Sequence, residues 1–327
     1  MLSSQTDCDL KRSFERGQGT RVGDTLAAYF EAAKGAFSRN TERAVRSDVQ
    51  IFAAWCRRHC RAALPADAAD VVAFIDEMAR VKTPATVRRY VSSIATLHRA
   101  LRQPNPLDSA SVRFALKRMH RRRGRRQEQV RGLTWPLRNR LIEAGGDRLI
   151  DARDRALLAV GYDTLLRRTE LVSLQVPDLL EEIDGTATLL VRSGKTDPDG
   201  RGATLYLARD TVQLVRTWLE LGAVDGGRLF RSVRKDGTVG EKLDASQVPR
   251  IYKRMARRAG LPGDVVDTLA GHSTRVGAVQ DMIACGIELP AILQSGRWKT
   301  TRMVQRYGER LLARRSGAAQ LAERQRR

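Results

Sequence analysis

Residues 271–311 read GHSTRVGAVQDMIACGIELPAILQSGRWKTTRMVQRYGERL. After Gly271 the pattern is that of an amphipathic helix. His272 and Arg275 stand at i and i+3 of it, on one face, where both can address one ligand. Further on, Trp298 precedes Thr300, a residue type suited to an N-cap, and Tyr307 falls about two turns inside the helix expected to follow. Upstream, TLLRRTEL (164–171) sets Arg167 three residues before Glu170. Singly, each has an ordinary explanation. An i, i+3 Arg–Glu pair is usually a surface salt bridge. Trp and Tyr near a terminal helix usually pack. Together they form a cationic constellation with a tyrosine.

The rest of the chain says what such cations face. Its 327 residues suggest two domains at roughly 150 residues each. Lys plus Arg number 59 against 37 Asp plus Glu, a net charge of +22, and fifty of those cations are arginine. Hydrophobic residues make up 42%, enough for ordinary cores and too many for a disordered basic tail. The partner is a polyanion, nucleic acid or an anionic membrane surface, and the arginine bias favours phosphates and base edges. No apolar run is long enough to span a bilayer, and the first residues do not read as a signal peptide. Four cysteines (Cys8, Cys56, Cys60, Cys285) make no disulfide framework, so a reducing cytoplasm is expected.

Residues 1–22 read as a mobile arm and 23–120 as an all-helical domain. Val45, Val49, Phe52 and Cys56 form one helical stripe, Val71, Phe74, Ile75 and Met78 a second, and Val87, Tyr90, Val91, Ile94, Leu97 and Leu101 a third. Thr83 and Pro84 supply the third helix with a cap and a first residue. Asp108 or Ser109 caps the next. The segment 121–132, with Arg121 and Arg122, is expected as a basic interdomain linker, a solvated tether or one lying along a phosphate backbone. The second domain, 133–315, reads as mixed and mostly helical. TLLV (188–191) and ATLYL (203–207) make a β-hairpin whose long tip carries Lys195. The tail, 316–327, has a Ser-Gly hinge and a short helix around Leu321.

Common catalytic sets are missing from the sequence: no P-loop, HExxH or GxSxG occurs. Cys56, His59 and Cys60 cluster without a second ligand pair at zinc spacing, so Cys56 is expected in the core and His59 in solvent. No metal or other cofactor is expected.

TLLRRTEL (164–171), GKT (194–196), GHSTRVGAVQDM (271–282) and GRWKTTRMVQRYGERL (296–311) resemble the tyrosine recombinase (phage integrase) family, in its Cre-like subgroup. FAAWC (52–56), TLHRAL (96–101) and PNPLDS (104–109) extend the resemblance to the helical core-binding domain. It implies a mainly α fold. It also implies a DNA strand transferase with Tyr307 as nucleophile, Arg167 and Arg275 gripping the scissile phosphate, and His272 and Trp298 as further contacts. Lys195 would be the general acid and Glu170 a supporting acid. Trp298 stands where most members have histidine, which points to the subgroup. The Arg167–Arg168 pair is ambiguous, and spacing to Glu170 favours Arg167.

The resemblance further implies double-stranded DNA with inverted-repeat sites as partner, a tetramer on that DNA, and Leu321 docking into a neighbouring subunit. A frayed basic tail is the alternative for Leu321. Arg43, Arg46, Arg88 and Arg89 would face DNA from the first domain and Arg254, Arg257 and Arg258 from the second, each otherwise a solvated side chain. A type IB topoisomerase, a telomere resolvase and a non-catalytic DNA-binding protein remain as alternatives.

Overall fold

The computed structural model describes residues 24, 26–126, 128–192 and 202–327. The chain divides after Gln127 into two units. The first is helical: α1 (26–32), α2 (Arg39–Arg58), α3 (Ala68–Val81), α4 (Pro84–Ala100) and α5 (Ala110–Arg123). Local signals start these helices. Thr83 accepts the Thr86 N–H, and Pro84 occupies the first position of α4, where no N–H is needed. Ser109 caps α5. Asp108 is engaged instead by the Asn105 side chain, which donates to its carboxylate at 3.1 Å.

The apolar stripes meet in one core around Phe52, Trp55, Phe74, Ile75, Val87, Ile94 and Val112. Cys56 is buried in it, and His59 is exposed. Among the described residues no group of three His, Cys, Asp or Glu could hold a metal ion, and no helix is long and apolar enough to cross a membrane. The linker expected at 121–132 is shorter than its composition suggested. Arginine is a good helix former, so α5 runs through Arg121 and Arg122 and stops at Gly124 (φ 72°).

The second unit contains α6 (Trp135–Glu143), α7 (Leu149–Asp163), α8 (Arg168–Leu171), β1 (Leu179–Glu181), β2 (Ala187–Val191) and β3 (Ala203–Leu207). It continues with α9 (Arg209–Leu221), α10 (Gln247–Arg258), α11 (Gly263–Asp267), α12 (Ser273–Ala284) and α13 (Leu289–Gly296). The chain ends in α14 (Arg302–Tyr307), α15 (Glu309–Ala313) and α16 (Gly317–Arg324). The antiparallel sheet runs β1-β2-β3, with Leu189 opposite both Leu179 and Leu205. Strand β1 is three residues of LLE without alternation, too short for a sequence signal. The core gathers α7 (Leu157, Leu158, Val160) with Trp218, Phe230 and Tyr252.

The structure corrects two expectations. The helix expected after Trp298 is two helices, α14 and α15, with Thr301 rather than Thr300 at the N-cap position and no side-chain cap bond, and Tyr307 is the last residue of α14. The break falls at Gly308, where Ile283 packs against the Cα and leaves no room for a side chain.

The other correction is that α12 is not amphipathic: Ser273 through Val279 are all buried. The reason is tertiary. Helices α7, α13, α14 and α15 pack around α12, and residues 131–134 run beside it, with the Leu133 N–H donating to the Ser273 carbonyl at 2.8 Å and the Arg131 N–H to the Thr268 carbonyl at 3.3 Å. Gly277 permits that approach. A Cβ there would overlap the Leu133 carbonyl and stand 2.6 Å from the Thr134 nitrogen, both backbone atoms that cannot swing aside. Gly277→Ala is therefore expected to cost about 3 kcal/mol, at the upper end of overpacking penalties. In a unit of this size that lowers Tm by about 9 °C, a shift calorimetry reads directly.

Candidate active site

The turn after α7 begins the site. Leu165 takes a left-handed conformation (φ 50°) with its side chain fully buried. Arg275, on the first turn of α12, donates Nη1 to the Leu165 carbonyl and Nη2 to the Gly296 carbonyl at 3.4 Å. Its guanidinium carbon lies 4.9 Å from the centre of the Trp298 ring, and the residue is 2% exposed. Burial pulls its pKa down to about 10. Tyr307 opposes that shift electrostatically and Arg167 adds to it.

Arg167 precedes α8 and is fastened to Glu170 in two ways. Its backbone N–H donates to Oε2 at 3.0 Å and its Nη1 to Oε1 at 2.8 Å. Arg168 is exposed. Burial acts to raise the Glu170 carboxyl. The Arg167 N–H and the charges of Arg297 and Arg167 outweigh it and hold the group below the usual carboxylate range.

His272 occupies the N-cap position of α12 and is exposed. Its ring is nonetheless partly shielded from water, and that desolvation comes first in lowering its pKa; the positive charges of Arg275, Arg167 and Arg168 act the same way. Both effects favour the neutral imidazole. Trp298 and Tyr307 meet edge to face, ring centres 5.9 Å apart. Tyr307 sits half-buried against a small cluster including Leu165, Val279, Ile283 and Val304. Its carbonyl accepts two amides, from Gln129 and Gln280, each at 3.2 Å. Arg167 and Glu170 form one bonded pair and Arg275, Trp298 and Tyr307 a second contacting set, and the two lie within electrostatic reach of each other and of His272. Lys195 lies outside the described residues.

The Phage integrase family matches residues 138–312. The chain belongs to that family. This tyrosine recombinase is 28% identical over 289 residues to the recombinase cre of Escherichia phage P1, covering 83% of this chain and 84% of that protein. It is 29% identical over 281 residues to an integrase/recombinase xerD homolog of Selenomonas ruminantium, covering 83% and 81%. Among solved structures its fold is similar to that of the Tn1549 transposon integrase in complex with transposon right end DNA. That match has a TM-score of 0.63 at 15% identity, over 90% of this chain and 98% of the other. It is also similar in fold to the XerH recombinase bound to palindromic difH substrate in a post-cleavage complex. There the TM-score is 0.59 at 17% identity, over 79% and 72% of the two chains. The mainly α fold expected from the family resemblance is the one observed.

The arginines singled out for DNA contact are not equivalent in this recombinase. Arg43, Arg88, Arg121, Arg122 and Arg257 are exposed. Arg46 lies 5.4 Å from the Phe30 ring centre. Arg89 is clamped by Asp48, with Nε at 3.0 Å and Nη2 at 2.9 Å. Arg254 pairs with Asp154, and Arg258 with Asp151 at 2.6 Å. Leu321 is 49% exposed on α16.

Periodicity missed those carboxylates, although Asp48 left a trace: it is an acid on the buried stripe between Val45 and Phe52. Arg297, whose Nη2 reaches Glu170 at 2.5 Å, left no trace.

Proposed function

We propose that this protein is a site-specific DNA recombinase that cleaves and rejoins duplex DNA through a 3′-phosphotyrosine intermediate. The observation that carries this is Arg275. It is a buried guanidinium that bonds two carbonyls and lies over an indole face, and among the described residues no carboxylate lies within ion-pair distance. Burying an unpaired charge is costly, so the site is built for an anion brought from outside. Beside it stands a tyrosine.

The chemistry follows from that pairing. The Tyr307 oxygen attacks phosphorus in line as its proton passes to water. Charge grows on the non-bridging oxygens, where Arg275, Arg167, His272 and the Trp298 N–H donate. The bond to the 5′-oxygen breaks, and that oxygen takes a proton, supplied by Lys195. The phosphotyrosine bond conserves the energy of the bond it replaces, so a second strand's 5′-hydroxyl reverses the step without ATP. Glu170 holds Arg167 in aim.

Exchange between two inverted-repeat sites requires four such centres, hence a homo-tetramer on DNA, with α16 and Leu321 joining neighbours. The first unit grips the duplex, as the exposed Arg43 and Arg88 suggest, and the compartment is the cytoplasm. The family's presence in recombinases and integrases supports this reading.

A nicked suicide duplex pool, randomised around the nick, tests it whatever the target sequence is. The full chain is expected to form adducts resistant to detergent. Lys195→Ala is expected to slow adduct formation about 10²-fold or more, within the range for a general acid. A 5′-bridging phosphorothiolate, whose sulfur leaves without a proton, is expected to restore the rate. Loss of rescue would remove Lys195 from that role, and absence of any wild-type adduct would sink the recombinase reading.

A further inference from the structure

Arg297 stands in the left-handed region (φ 54°, ψ 47°), a conformation that favours glycine. A glycine is available one residue earlier, but position 296 needs it for another reason. The Trp298 indole lies over the Gly296 Cα, and any Cβ there would collide with the ring. The turn between α13 and α14 thus makes two demands on glycine, and arginine fills the second place. A strained arginine that persists at a functional site is held by what its side chain does.

That side chain is 16% exposed and points at the site. Its Nη2 meets Glu170 Oε2 at 2.5 Å, the same oxygen that accepts the Arg167 N–H. Its Nε is buried without a partner. One carboxylate, 5% exposed, is therefore shared by two guanidinium groups. The turn that carries Arg297 also presents the Gly296 carbonyl to Arg275 and leads directly into Trp298.

We infer that Arg297 is a positioning residue for oxyanion binding: it pins Glu170, and through Glu170 the aim of Arg167, and so ties the Trp298 turn to the α8 turn. The inference rests on the recombinase reading for what the oxyanion is, and on the geometry alone for the coupling. The electrostatics agree, since Arg297 acts to lower both the Glu170 carboxyl and the Arg275 guanidinium.

The test compares Arg297→Gly, Arg297→Lys, Glu170→Gln and the double variant Arg297→Gly/Glu170→Gln, all in the full chain. Glycine relieves the left-handed backbone, so Arg297→Gly is expected to keep or raise Tm. A fall in Tm with a parallel fall in function would mean a structural role and overturn the proposal. Adduct formation on the nicked duplex pool is expected to slow at least tenfold with DNA affinity unchanged, and lysine is expected to recover part of the rate. The double variant is expected to be no slower than Glu170→Gln alone. Multiplying defects, or a wild-type rate in Arg297→Gly, would overturn the coupling.

Inorganic vanadate, an oxyanion that needs no DNA, is titrated in parallel by Trp298 fluorescence, with Trp298→Phe as blank. Fivefold weaker binding by Arg297→Gly is expected, and equal binding would overturn the proposal. A wild type that binds vanadate yet forms no adduct would sink the recombinase reading and leave the positioning role standing.

Discussion

Arg275→Ala is expected to lower the rate of DNA cleavage by at least about 10³-fold while changing Tm by only a few degrees. The first expectation comes from what the guanidinium offers a developing oxyanion. One preorganised donor removed from such a site typically costs about 10²–10³-fold. Arg275 carries several N–H groups and a full charge. Its orientation is set by the Leu165 carbonyl and the Trp298 ring before any substrate arrives.

The second expectation comes from opposing terms in stability. Truncation leaves the Leu165 carbonyl unpartnered and opens a cavity, a loss of a few kcal/mol. Against this, burial has brought the arginine pKa from 12.5 to about 10, so at pH 7 the folded state carries a penalty of about 3 kcal/mol for holding the charge. The sign is that of a cation with a lowered pKa: the penalty is present at all pH values below about 10 and disappears only above it. The two terms nearly cancel. An oxyanion that pairs with Arg275 offsets the penalty. Inorganic sulfate is accordingly expected to raise the Tm of the wild type and to leave Arg275→Ala largely unmoved. A collapse of Tm in Arg275→Ala, read by calorimetry beside the cleavage assay, would show the residue to be chiefly a structural strut.

What could be read from the sequence was whatever a local rule controls. The stripes of α2, α3 and α4 were visible because one face of each is buried and the period is regular. The start of α4 was visible because Thr83 and Pro84 act within a single turn. Glu170 was visible because its partner Arg167 lies on the next turn of the same stretch.

The parts that stayed hidden are made by distant segments. The burial of α12 depends on α7, α14 and α15 packing around it and on residues 131–134 lying against Gly277, and nothing within 273–284 announces them. The requirement for glycine at the break, Gly308, comes from Ile283. Arg297 reaches Glu170 across 127 residues of chain, from a backbone conformation its residue type does not favour. The arginines expected to face DNA divide for the same reason. Arg88 and Arg89 are adjacent in sequence, yet one is simply exposed and the other is fixed by a buried aspartate on α2. Arg89, Arg254 and Arg258 thus enter any complex with guanidinium groups already oriented, whereas Arg43 and Arg257 enter as exposed charges.

Everything proposed for the reaction turns on Tyr307 becoming covalently joined to DNA at a phosphate held by buried and half-buried arginines. Its hydroxyl is the only group removed in Tyr307→Phe. The ring, its edge-to-face contact with Trp298 and the carbonyl bonds to Gln129 and Gln280 are left in place. Folding and DNA affinity are therefore expected to match the wild type. The deciding measurement is adduct formation with the nicked duplex, followed by acid hydrolysis and identification of the phosphorylated residue. Phosphotyrosine is expected from the wild type, and no adduct from Tyr307→Phe. An adduct of undiminished yield in that variant would refute the assignment of Tyr307 as the nucleophile.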